Sequence, residues 1–202
     1  KALVFKDDCN KIGPKIAKNI GEKGNIHALV FIDNEGLDAY WPTVESFLAT
    51  NCDILILFPT VGIRRVFGGA EKGEEKDIKA LNLFYGESCW ETAKDENDLL
   101  KIYTERLKDS FLHLRKKSCF ISSIRVGDRH FYYDIILICK AGPYINAWKH
   151  LKNLLDWQNP KTIEIILDLL KGRLMEVDWF IDLSNKLKDI EKSKEVPLDY
   201  FM

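Results

Sequence analysis

Two carboxylates stand where an acid or a base can work: Asp8, shortly after the apolar run Ala2–Phe5, and Asp33, directly after the apolar run Ile26–Ile32. A carboxylate at such a place can accept a hydrogen bond from a ligand or take a proton from an attacking group. Asp8 also has a plain structural use, because Asp7 or Asp8 can cap the following helix by accepting from its free N–H groups. Arg64 and Arg65, behind Pro59 and Gly62, can hold phosphate, with Trp41 or Phe67 as a stacking surface for a base. The same two arginines can equally be solvated loop residues. Arg115, Lys116 and Lys117 end a helical pattern, a position where cations suit the helix dipole.

Other chemistries find less footing. His27, His113, His130 and His150 are scattered, and none falls in a constellation for nucleophilic catalysis. Cys9, Cys52, Cys89, Cys119 and Cys139 include no Cys-x-x-Cys pair, so their spacing offers no zinc site, and reduced, buried thiols are expected. Gly68-Gly69 lacks the Gly-Lys-Ser/Thr that completes a phosphate-cradling loop.

Hydrophobic periodicity supplies the elements that must position these residues. Ala2–Phe5 reads as a strand, and the spacing of Ile12, Ile16, Ala17 and Ile20 predicts a helix over 9–20. Ile26–Ile32 suits a strand buried on both faces, 41–50 a helix, and Ile54–Phe58 a third strand. Strands alternating with helices imply a parallel sheet, and right-handed crossovers would align Asp8, Asp33 and Pro59 along the edge where such sheets bind ligands. The pattern loosens over 62–86, and the Gly-, Lys- and Glu-rich stretch over 68–79 predicts a mobile excursion over that edge. A long helix over 98–114 precedes two strand-like runs, Ser118–Arg125 and His130–Cys139, whose Gly127-Asp128 junction marks a hairpin. Residues 144–155 and 160–190 read as amphipathic helices. The expected layout is an α/β domain over 1–141 and a helical extension over 142–202.

The order of elements, a parallel sheet closed by an antiparallel hairpin after a long helix, resembles the second half of a Rossmann-like class I methyltransferase without its first two strands. The wording of the sequence narrows this. Val30-Phe31-Ile32-Asp33, Gly36-Leu37, Trp41, Thr43 and Glu45, then Asp53–Pro59 with Gly62 and Arg64, then Phe84-Tyr85-Gly86, Trp90, Tyr103, Tyr132-Tyr133-Asp134 and Trp148 are together similar to the three-Cys-motif partner family. The resemblance spans most of residues 4–150. It implies a methyltransferase-like protein, active toward nucleic acid or a nucleic-acid-linked substrate, with a protein carrying three cysteines as partner. It implies S-adenosylmethionine as cofactor, with Asp8, Cys9 and Asn10 at its adenine, and Asp33 facing the methyl donor to orient or deprotonate a nucleophile. Arg64, Arg65 and Trp41 would meet the substrate. Where the family places a proline-bearing turn after this carboxylate, the chain has Asn34 and Glu35, which leaves a non-catalytic module binding a protein or nucleic acid as the alternative.

Composition constrains the partners. Thirty basic against 31 acidic residues leave a formal charge of -1, so nucleic acid would have to be met by a local basic site. No apolar run approaches the roughly 18 to 20 residues that span a bilayer, and no signal pattern opens the chain, so a cytoplasmic protein without metal or membrane is expected. The absence of an initial Met before a strand-like run suggests a trimmed chain or fragment.

Overall fold

The computed structural model describes residues 4–115, 117–127, 131–140, 142 and 144–155. They form an α/β arrangement, which contact density divides into a unit over Lys1–Ile145 and another over Asn146–Met202. In chain order the first unit holds α1 (Cys9–Glu22), β1 (Ala28–Ile32), α2 (Trp41–Leu48), β2 (Cys52–Phe58), α3 (Thr60–Ala70), α4 (Glu75–Tyr85), a 3-10 turn (Ser88–Thr92), α5 (Glu96–Arg115), β3 (Cys119–Gly127) and β4 (Tyr132–Lys140). A further helix, α6 (Tyr144–Leu155), crosses the division and supplies the described part of the second unit. The helical expectation over 160–190 lies outside the described residues.

The four strands form one mixed sheet in the order β1-β2-β4-β3. β1 runs parallel to β2 with Val30 opposite Ile54, while β4 is antiparallel to both β2 and β3. β1 joins β2 through α2, the helical crossover that parallel neighbours require. β3 and β4 are the expected hairpin. Ala2–Phe5 was expected to add another strand, but Val4 and Phe5 lie outside any strand and are exposed, and residues 1–3 are not described. An extended segment becomes a strand only beside a neighbour that accepts its hydrogen bonds.

One face of the sheet carries the core. Ile54, Ile56 and Phe58 of β2 and Ile136 and Ile138 of β4 are fully buried with Val44, Leu48, Ile63, Leu81, Leu107 and Phe111 from the helices. Tyr103 of α5 is the hub: its ring stacks on Phe84 at 4.8 Å and meets Phe58, Tyr85 and Trp41 at 5.3, 5.5 and 5.7 Å. Offset and edge contacts of this kind add to simple burial. Gly86 ends α4 in a left-handed conformation, φ 78°, and a Cβ there would come within 2.6 Å of the Trp41 ring. Glycine meets both demands.

The stretch over 68–79, expected to be a mobile excursion, is instead the middle of a helical hairpin formed by α3 and α4. Its glycines and charges hide two apolar stripes, Ile63, Phe67 and Ala70 on one helix and Leu81, Phe84 and Tyr85 on the other, all buried. Burial of those stripes outweighs the weak helix propensity of Gly62, Gly68 and Gly69.

Candidate functional site

The C-terminal ends of β1 and β2 define one edge of the sheet, and the start of α1 is tied to it. Asp8 caps α1, its Oδ1 accepting from the Asn10 backbone N–H at 2.9 Å and from Asn10 Nδ2 at 3.2 Å. Asn10 binds onward to the loop after β1. Its Nδ2 donates to the Asp38 carbonyl at 2.7 Å, and its Oδ1 accepts from the Tyr40 N–H at 2.8 Å and the Thr43 hydroxyl at 2.9 Å. The Cys9 thiol, 3.8 Å from the Asp38 carbonyl, is raised in pKa by partial burial and by the carboxylates Asp8 and Asp38. The structure therefore brings Asp8, Cys9 and Asn10 together with residues 38–43.

Asp33 leaves the end of β1 exposed, while its neighbour Asn34 is buried. Asn34 donates from Nδ2 to the Leu57 carbonyl at 3.3 Å and accepts at Oδ1 from the Ala39 N–H at 3.1 Å. In place of a proline, the amide of Asn34 fastens the loop to β2 at one end and to itself at the other. Trp41 does not present its ring to this edge. It is 3% exposed, covered by the Arg106 guanidinium at 4.4 Å, and belongs to the core rather than to a stacking surface. Arg64 and Arg65 are exposed on α3. Arg64 lies 3.8 Å from Glu96.

Behind Arg64 runs a polar network between the sheet end and α5. Asp134 is 3% exposed and accepts from the Thr60 hydroxyl at 2.6 Å and from Arg125 Nη2 at 3.0 Å. Arg125 also donates to Asn97 at 3.3 Å and lies over the Tyr132 ring at 4.7 Å. The Tyr132 hydroxyl donates to Glu96 at 2.7 Å, and that bond raises the phenol above its ordinary range. Charge-assisted bonds around a buried carboxylate fix Tyr132 and Glu96 at the edge. Only Asp134 and Tyr132 entered the sequence reading, as part of a resemblance. Thr60 stands 74 residues from Asp134 and Glu96 stands 36 from Tyr132, so spacing carried no signal for those pairs, while Arg125 faces Asp134 across the β3–β4 hairpin.

Two further groupings were not legible. His27 Nε2 lies 2.7 Å from Asp53 Oδ2 at the opposite end of β1 and β2. Arg115, expected only as a cation suited to a helix end, donates to the carbonyls of Leu48 and Cys52, each at 2.7 Å, which satisfies acceptors at the ends of α2 and β2. Burial holds its guanidinium below the usual arginine range.

No protein family, curated protein or solved structure matches this chain. Among the described residues, no group of three or more His, Cys, Asp or Glu side chains could hold a metal ion, and no helix is long and apolar enough to cross a membrane.

Proposed function

We propose that this protein is a class I methyltransferase-like protein of the three-Cys-motif partner type, dependent on S-adenosylmethionine and acting on nucleic acid or a nucleic-acid-linked substrate. The observation that carries the reading is the sheet: a parallel pair, a long helix, and an antiparallel hairpin whose last strand inserts beside β2. That is the later part of the arrangement the resemblance implies. Fold alone does not fix chemistry, so the site must bear the reading.

The start of α1 fits the adenine end of the cofactor. Asp8 uses Oδ1 for its cap, which leaves Oδ2 to accept from an exocyclic amine, and Asp8 is exposed. Asn10 is committed to residues 38–43 and acts by holding that carboxylate in place. When bound, S-adenosylmethionine supplies the methyl group. Asp33, exposed at the same edge, would orient or deprotonate the accepting atom. Calorimetric titration of the intact protein with S-adenosylmethionine should give saturable heat that Asp8→Ala weakens. No heat at millimolar cofactor would overturn the reading.

The replacement of a proline-bearing turn by Asn34 and Glu35 after Asp33 motivates a second reading, a non-catalytic module of the same fold that binds nucleic acid or a three-cysteine protein. Under it Asp33→Ala leaves binding unchanged and the intact protein transfers no methyl group.

A further inference from the structure

Between the second half of α3 and the start of α4 lies an open cleft of about 450 Å³ whose lining includes Arg64, Arg65, Lys72, Lys76, Gly68 and Gly69. Four cations from two helices and the turn between them converge on one concavity in a chain whose formal charge is -1. Gathering like charges costs free energy, and the two carboxylates that also line the cleft, Glu74 and Asp77, offset only part of it. Lys76 is paired with Glu74 at 3.3 Å, and Arg64 reaches Glu96 only at 3.8 Å. Asp77 is seated where a side chain of Gly69 would stand.

The two glycines differ in a telling way. At Gly69 a Cβ would meet the Asp77 carboxylate, which would have to turn aside. At Gly68 a Cβ would meet nothing within 4 Å. Glycine is the poorest helix former after proline, so packing gives no reason for Gly68 within α3. What it does is leave bare backbone on the cleft wall between the cations. Close approach of a ligand is a reason for such a glycine.

We infer that this cleft binds the phosphodiester backbone of a nucleic acid, with Arg65 and Lys72 as its main phosphate contacts. This rests on the nucleic-acid substrate in the proposed function and assigns that substrate its place. α3 begins directly after β2, at the sheet edge that also carries Asp33, and the cleft lies on its later turns. The exposed arginine head groups suit phosphate recognition, which positions a strand without reading its sequence.

The test is fluorescence anisotropy of the intact protein, without cofactor, against labelled 20-nucleotide single-stranded RNA, single-stranded DNA and duplex DNA at low and moderate salt. The arms show which nucleic acid supplies the phosphates. The double variant Arg65→Glu/Lys72→Glu should lose at least tenfold in affinity and flatten the salt dependence by about two phosphate contacts. Lys11→Glu/Lys18→Glu on α1 should bind like the parent. Gly68→Ala should raise the melting temperature by a few degrees while Gly68→Gln weakens binding without unfolding the chain. Parent-like binding by the Arg65/Lys72 variant, or no binding by the parent to any of the three probes at low salt, would overturn the inference. Cofactor titration is read separately, so an intact cleft with no cofactor binding would defeat only the methyltransferase reading.

Discussion

The face of the sheet turned away from the α2–α5 core has two unlike halves. On β4 and β3 it is closed: Leu137 and Ile124 are 6% and 5% exposed and Cys139 is wholly buried. On β1 it is open, with Leu29 and Phe31 at 68% and 58%. Register joins the halves through β2, since Leu55 pairs with Phe31 on one side and Leu137 on the other. Both halves are equally apolar in sequence. Apolar composition on a strand face therefore states what would gain from cover, and tertiary structure alone decides whether cover is there.

The sharpest break in the comparison comes from placing a charge on the closed half. Leu137→Lys buries an unpaired ammonium, and a loss of roughly 4 kcal/mol is expected. Urea denaturation checks it, and a loss below about 1 kcal/mol would show that this half opens to water in solution.

This comparison also marks what was legible. Helix periodicity and apolar runs located α1, β1, α2, β2, α5 and the hairpin within a few residues, because each buries a stripe or face against the core. The same run from Ile26 to Ile32 predicted cover on both sides of β1, and only Ala28, Val30 and Ile32 have it. Glycine and charge concealed α3 and α4. At the site, the Asp8 cap was legible from its place before α1, whereas the role of Asn10 as an anchor for Asp38, Tyr40 and Thr43 was not. Trp41 could be placed on a helix but not on a side of it. The Thr60–Asp134–Arg125 network depends on register between β2, β3 and β4, which no local pattern encodes.

A smaller effect follows from the closed half on the alkaline side. Burial first, and the nearby Asp53 carboxylate second, push the Cys139 thiol up to about 12. The folded state thus holds this proton more tightly than the unfolded chain, whose thiols titrate near about 8.5. The associated stability is complete below that value and is lost as pH rises toward about 12. Melting temperatures measured from pH 7 upward should fall more steeply for the parent than for Cys139→Ala, although the variant starts lower by its small cavity. Parallel curves would mean that Cys139 meets water.

The smallest effect belongs to the open half, and it decides whether the contrast holds in solution. Leu29→Lys and Phe31→Lys put a charge on side chains that already face water, and charged residues on an edge strand also discourage edge-to-edge pairing. Each should change stability by no more than about 0.5 kcal/mol and leave the chain at least as soluble as the parent. The same urea titration used for Leu137→Lys measures it. If Leu29→Lys cost as much as Leu137→Lys, both halves would be covered in solution, and β1 would be an interior strand as its unbroken apolar run predicts.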